Sequence, residues 1–285
     1  MSLVYLNGDF LPREEARISV LDRGFLLGDG IYEVIPVYYG RPFRLQQHLH
    51  RLEQNLAAVR LANPLERDQW QALFQRLIEH HGGGDLSLYL QVTRGVAQRD
   101  HAFPAETEPT VFAMCNPLPP PQGLDQQNGV EAITLDDIRW RYCHIKTISL
   151  LPNVLLRQQA VDQGAAEAIL IRDGKVTEGA ASNVFVVRDG LLLTPPKSPN
   201  LLPGITRDLI LELAAGHGVP AREKDIPADW LGQVDEIWLS SSTREIVPVV
   251  ALNGAPVGNG KPGPLWKHLS KIYRLYKEQL RHETV

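Results

Sequence analysis

The 285 residues are 44% hydrophobic and 22% charged, near the globular average, which excludes a disordered, collagenous or fibrous chain. A formal net charge of −4 leaves no global positive field for nucleic acid or an anionic membrane, and no run of about 18 apolar residues is present to span one. Two cysteines, Cys115 and Cys143, and an N-terminus without a basic start or long apolar run point to a cytoplasmic chain with no disulfide framework.

In chain order, Val4–Leu6 and Phe10-Leu11 flank Asn7-Gly8, the pattern of a tight hairpin. Ile31–Tyr39 is a β-rich run, apolar on both faces apart from Glu33. Leu45, Leu49, Leu52, Leu56 and Val59 recur at helical spacing. A second helix carries Trp70, Leu73, Phe74, Leu77 and Ile78 and stops at Gly82-Gly83-Gly84. Strands are predicted over Leu86–Val92, where apolar residues alternate, and over Thr110–Met114. The proline-rich run 117–123 divides an N-terminal α/β domain, 1–116, from a larger barrel-like domain, 124–285. In that second part strands are predicted over Val130–Leu135, Ala168–Ile171, Val184–Val187, Leu191–Leu193 and Glu236–Leu239. Arg-Asp-Gly triplets at Arg172 and Arg188 mark hairpins. Helices are predicted over Pro152–Gln163, Ile205–Ala215 and Pro264–Leu280. The mixture is an α/β (α+β) protein.

Common catalytic motifs are missing. Gly28-Asp29-Gly30 continues into Ile-Tyr-Glu, without the third glycine of a dinucleotide fingerprint. No Gly-Lys-Ser/Thr phosphate loop and no Gly-x-Ser-x-Gly elbow occurs. His48 and His50 lie two apart on a helix, about 200° around its axis, and cannot readily share a metal ion.

Lysine usage is more informative. The first lysine is Lys146, and Tyr142-Cys143-His144-Ile145 and Thr147-Ile148 surround it with bulky, mostly apolar groups. Two readings stand: a stem packed on apolar surface with its head in water, or a partly desolvated amine, which is nucleophilic at neutral pH and forms imines with carbonyls.

Seven short motifs then occur in one order: Asp22-Arg23-Gly24, Gly28-Asp29-Gly30-Ile31-Tyr32-Glu33, His48-Leu49-His50-Arg51-Leu52, Ile145-Lys146, Thr177-Glu178-Gly179, Ser182-Asn183-Val184-Phe185 and Gly204-Ile205-Thr206-Arg207. In these the chain resembles the fold-type IV pyridoxal-phosphate enzymes: D-amino-acid transaminases, branched-chain aminotransferases and aminodeoxychorismate lyases. The resemblance implies that Lys146 forms a Schiff base with pyridoxal 5'-phosphate and moves the substrate α-proton. It places the Glu178 carboxylate against the pyridine nitrogen and Leu202 on the ring face. Arg51, the start of the helix at Ile205 and Thr206, and Ser242 with Ser241 would hold the phosphate, although Thr206 could equally be a helix cap.

Within the family, Arg99-Asp100-His101 and Asp137-Ile138-Arg139-Trp140 resemble the D-amino-acid transaminases. There Arg99 and His101, reaching across a homodimer interface, would join Tyr32 in a trap for the substrate carboxylate. The implied reaction is a ping-pong transfer from a D-amino acid such as D-alanine to a 2-oxo acid such as 2-oxoglutarate. Branched-chain L-amino-acid transamination and aminodeoxychorismate cleavage are the alternatives. Ala180-Ala181-Ser182 departs from the serine run of some relatives, which puts hydroxyl contacts to the cofactor there in doubt.

Overall fold

Asn7-Gly8 turns the chain with both residues in the left-handed region, φ 51° and 106°, pairing β1 (Leu3–Leu6) with β2 (Asp9–Pro12) as the hairpin signal predicts. This computed structural model describes residues 2–118 and 128–281. The chain forms two compact units, Met1–Pro119 with Ile145–Leu150, and Pro120–His144 with Leu151–Val285. Residues 119–123 of the proline-rich connector lie outside the described residues.

In the first unit, β1 and β2 join β3 (Gly30–Tyr38), β4 (Arg41–Pro42), β5 (Leu86–Thr93) and β6 (Thr110–Pro117) in an antiparallel sheet ordered β2-β1-β6-β5-β3-β4. Leu86, Leu88, Leu90 and Val92 alternate inward along β5, because successive strand residues face opposite sides. They meet the apolar stripes of α2 (Leu45–Ala58) and α3 (Arg67–His80), with Trp70, Phe74 and Leu77 fully enclosed. A short helix, α1 (Arg23–Leu27), precedes β3; it has no periodicity long enough to be legible. The segment carrying Lys146 belongs here: Ile145 packs into this core and Thr147 bridges to Ile31.

The second unit is built on a nine-stranded mixed sheet. Its strands are β7 (Val130–Asp136), β8 (Glu167–Arg172), β9 (Lys175–Gly179), β10 (Asn183–Arg188), β11 (Leu191–Thr194), β12 (Ala221–Glu223), β13 (Glu236–Ser241), β14 (Glu245–Leu252) and β15 (Ala255–Pro256). The order is β12-β11-β10-β13-β14-β7-β8-β9, with β15 on β14. β9 also packs near β10, so the sheet curls towards closure. Asp173-Gly174 and Asp189-Gly190, all at positive φ, make the two tight hairpins expected of the Arg-Asp-Gly triplets. Helices α4 (Leu151–Asp162), α5 (Ile205–Gly216) and α6 (Pro264–Gln279) match the predicted spans within one residue at each end. Strand β14 has no counterpart among the predicted strands. It contains Pro248, which ordinarily argues against an internal strand, and its register with β7 shifts between Val249 and Ala251.

No capping side chain lies on the residue before α6; Gly263 occupies that position. Glu236 of β13 substitutes for one, accepting from the Leu265 and Trp266 N–H groups at 2.9 Å each and from Trp238 Nε1 at 2.8 Å. A Cβ on Gly263 would fall 2.0 Å from the Glu236 carboxyl carbon. Glu236→Ala leaves three donors without their acceptor and is expected to cost about 3 kcal/mol in urea unfolding.

Candidate active site

Each unit carries a cluster of the candidate side chains. In the first, β3 turns Ile31, Glu33 and Ile35 towards α2 and Tyr32 and Val34 to the other face. Thr147 and Ile148 dock on the Gly30 carbonyl, and Tyr32 N–H donates to the Lys146 carbonyl at 3.0 Å. This pairing holds the half-buried Lys146 with its Nζ 4.1 Å from the centroid of the Tyr32 ring. The phenol itself stacks on Tyr89 at 5.9 Å.

Across the strand, Glu33 has no exposed surface. Arg51 grips it with a fork, Nε to Oε1 and Nη2 to Oε2 at 2.8 Å each, and His48 Nδ1 lies 2.9 Å from Oε2. Burial opposes ionisation of Glu33, but the Arg51 charge and these donors override it and hold the carboxyl far below its usual range. Burial pushes His48 down, and Arg51 and Lys146 push it the same way. The ring is therefore neutral at pH 7, and Nδ1–H donates, since a carboxylate can only accept. Arg51 is 5% exposed and its guanidinium plane is fixed by Glu33.

In the second unit Glu178, on β9, is also buried rather than an exposed strand end. Arg139 donates to Oε1, while the Leu202 N–H and Asn183 Nδ2 reach Oε2 at 3.0 and 3.2 Å. Burial pushes Glu178 up to about 7 despite Arg139. Arg139 is shared with Asp137, which its Nε and Nη2 bind at 2.8 and 2.9 Å, and the Asp137 charge adds to the upward push.

Asn183 organises the rest. It donates to the Leu202 carbonyl at 2.9 Å and lies opposite Ser240 on β13. A Cβ on Gly204 would come within 2.0 Å of its Oδ1, so only glycine lets α5 start this close. Gly204 is the N-cap of α5 and provides no side-chain cap. Thr206, considered as a cap from sequence, instead sits buried inside the first turn. The N–H groups at Ile205 and Thr206 thus begin a helix with no side-chain acceptor, an arrangement suited to an anion. Close by, Ser240 Oγ is buried without a partner among the described residues. Ser241 Oγ accepts from the Arg244 N–H, and Ser242 follows in the turn.

Arg99 and His101 are exposed in a polar loop, and neither side chain has a partner among the described residues. The Ser182 hydroxyl donates to Glu167 at 3.1 Å, so it is engaged within the sheet. Three residues have roles that sequence reasoning did not give them: Glu33, Arg139 and Asn183. A single acid in an otherwise apolar strand was a usable sign, because a charge there must be paired.

The model of the amino-transferase class IV family matches residues 30–252. The D-alanine aminotransferase of Bacillus licheniformis is 41% identical over 266 residues, covering 93% of this chain and 94% of its own length. That of Staphylococcus aureus strain COL is 38% identical over 279 residues, covering 98% and 99%. Among solved structures, the T.th. branched-chain amino acid aminotransferase with pyridoxamine 5'-phosphate aligns with a TM-score of 0.92 at 25% identity, covering 97% of this chain and 94% of that one. The Escherichia coli branched-chain enzyme aligns at 0.90 and 26%, covering 96% and 93%.

Glu33→Gln removes the charge that neutralises Arg51 in the core and is expected to cost about 3 kcal/mol in denaturant titrations. For Glu178 the sign is opposite. Its value of about 7 stands above the ordinary 4.5, so its contribution to stability is complete below about pH 4.5 and is lost as pH rises through 7. Between about pH 4.5 and 8, cofactor-free wild type should therefore lose about 3 kcal/mol relative to Glu178→Gln, measured by unfolding across that range.

Proposed function

The chain belongs to the class IV aminotransferases, and from that membership we infer that it transfers amino groups from a D-amino acid such as D-alanine to a 2-oxo acid such as 2-oxoglutarate, using pyridoxal 5'-phosphate. The observation that carries this reading is 41% identity to a D-alanine aminotransferase over 93% of the chain. Likeness to the branched-chain enzymes is extensive in fold but rests on 25–26% identity, which favours the D-amino-acid reading over them.

The second unit fits the cofactor chemically. An uncapped helix start near an unpartnered serine suits a phosphate, and a buried acid poised near neutrality suits a cationic ring nitrogen. When bound, pyridoxal phosphate supplies an aldehyde that captures amines and a ring that accepts electrons from a broken Cα–H bond. Lys146 would hold that aldehyde through its amine and, when free, would carry the proton to and from Cα. Glu178 would favour a protonated ring nitrogen, whose charge would in turn favour its ionised form. Leu202 would pack against the ring. Arg51, Ile205, Thr206, Ser241 and Ser242 would hold the phosphate.

Tyr32, with Arg99 and His101 of a second subunit, grips the substrate carboxylate. Orientation follows: fixing the carboxylate decides which enantiomer aims its Cα–H at Lys146. A homodimer is supported by the exposed Ile18, Val20, Leu21, Phe25 and Val96 of the first unit. A cytoplasmic location is consistent with two buried free cysteines.

Lys146→Ala should abolish transamination, and borohydride reduction of wild-type holoprotein should place the pyridoxyl label on Lys146. In a panel of both enantiomers, D-alanine should be the better donor. Preference for L-valine or L-leucine would establish the branched-chain reading, and pyruvate release from aminodeoxychorismate without an acceptor the lyase.

A further inference from the structure

Two of the sequence motifs have no place in the chemistry above: Asp22-Arg23-Gly24 and Gly28-Asp29-Gly30. The fold gives every residue in them one common task. Asp22 caps α1 through the Gly24 N–H at 2.8 Å and accepts from the Thr93 and Thr110 hydroxyls at 3.0 and 2.6 Å, fastening α1 to the ends of β5 and β6. Gly24 permits this, since a Cβ there would fall 2.2 Å from Thr93 Cγ2. Gly28, at φ 66°, ends α1 against Ser149, and Gly30 lies where a Cβ would meet the Val92 carbonyl at 2.6 Å. Asp29 is thereby held at the head of β3.

Arg23 projects from this frame and is 2% exposed. Its Nε donates to Asp29 Oδ2 at 2.8 Å. Its Nη1 donates to the main-chain carbonyls of Asp100 and Ala102, at 2.7 and 3.2 Å. Arg94 completes the cluster, binding Asp29 Oδ2 and Oδ1 at 2.9 and 3.1 Å and the carbonyl of Val59 at 2.8 Å, with its guanidinium 3.7 Å from the Phe103 ring centroid. Asp29 is held below its ordinary range by these two arginines, against burial.

The placement of the grip is informative. The loop 97–109 has no helix or strand of its own; its backbone is tied by the Asp22–Val96 bridge just before it and by the Ala102 N–H on Asp100 Oδ1 at 3.2 Å, so most of its fixing comes from outside. Arg23 takes hold at the carbonyls on either side of His101, one of which adjoins Arg99. A brace needed only for stability could hold the loop anywhere. We propose that Arg23, clamped by Asp29, is a positioning residue for substrate recognition: it holds the backbone that presents Arg99 and His101 to the substrate carboxylate. The inference rests on the assignment of Arg99 and His101 as carboxylate ligands.

The test uses holoenzyme in the D-alanine half-reaction, followed by cofactor absorbance under single-turnover conditions. This gives an apparent dissociation constant and a limiting rate for each variant. Arg99→Met is the reference and should weaken D-alanine binding about tenfold or more. Arg23→Met should weaken it about tenfold while the limiting rate stays within about twofold. The double variant should lose clearly less than the product of the two single losses, because part of what Arg23 holds in place is the Arg99 contact already removed. Phe103→Ala, at a half-exposed ring, loosens the same loop without burying an unpaired charge; it should shift binding in the same direction, and it carries the test should Arg23→Met not fold.

If Arg99→Met weakens binding while Arg23→Met and Phe103→Ala leave it unchanged, the positioning role is wrong and the carboxylate assignment stands. Additive losses in the double variant also overturn it. Unchanged binding in Arg99→Met overturns the carboxylate assignment, and the positioning role with it.

Discussion

A carboxyl group enclosed by protein must either be matched by donors and a cation or take up a proton. Two of the buried acids, Glu33 and Glu178, resolve that constraint in opposite ways. Glu33 receives both arms of the Arg51 fork and a histidine N–H, and ionises readily. Glu178 receives one arm of Arg139, whose other donors serve Asp137, and stays poised near neutrality. Glu33 is a finished ion pair whose effect is to aim Arg51. Glu178 shares its cation with Asp137, and under the proposed function a protonated pyridine ring would bring a further positive charge. The same burial thus leaves one acid ionised and the other poised.

Backbone proximity is what makes these pairings possible. Gly204 lets α5 begin against Asn183, and Asn183 in turn touches Glu178, the Leu202 carbonyl and, through the sheet register, the Ser240 position. The helix start, Leu202 and the poised acid are consequently tied to one asparagine. A larger residue at 204 would displace α5 by more than a hydrogen bond can stretch, and the N–H groups at its start would move with it.

Much of this was readable from the residues. Alternation at Leu86–Val92 and the glycine-containing turns gave strands and hairpins because both signals are local. The seven ordered motifs gave the family. What local pattern could not convey is distance in the fold. Ile145–Leu150 packs with the first unit although the chain around it belongs to the second, and no composition change marks that return. Arg139 and Glu178 are likewise 39 positions apart, and their contact depends on β7, β8 and β9 lying side by side. Strand β14 was hidden by Pro248; its ladder with β7 begins only at Val249, just past the proline.

Recognition of a carboxylate by a loop poses a problem of precision, since a displacement of about 1 Å in a reacting group can cost about a hundredfold in rate. Side chains on strands inherit their positions from the ladder; Tyr32 does so through β3. Arg99 and His101 have no ladder. Their loop must take its rigidity from elsewhere, and a guanidinium buried beneath it, bonded to two of its carbonyls and to a carboxylate at the head of β3, is a physically sufficient source. Asp29 and Tyr32 lie three residues apart on the same stretch of backbone, so the clamp refers the loop to the strand that carries Tyr32. Under that proposal a motif with no reacting atom bears on recognition, by fixing where Arg99 and His101 stand before any substrate arrives.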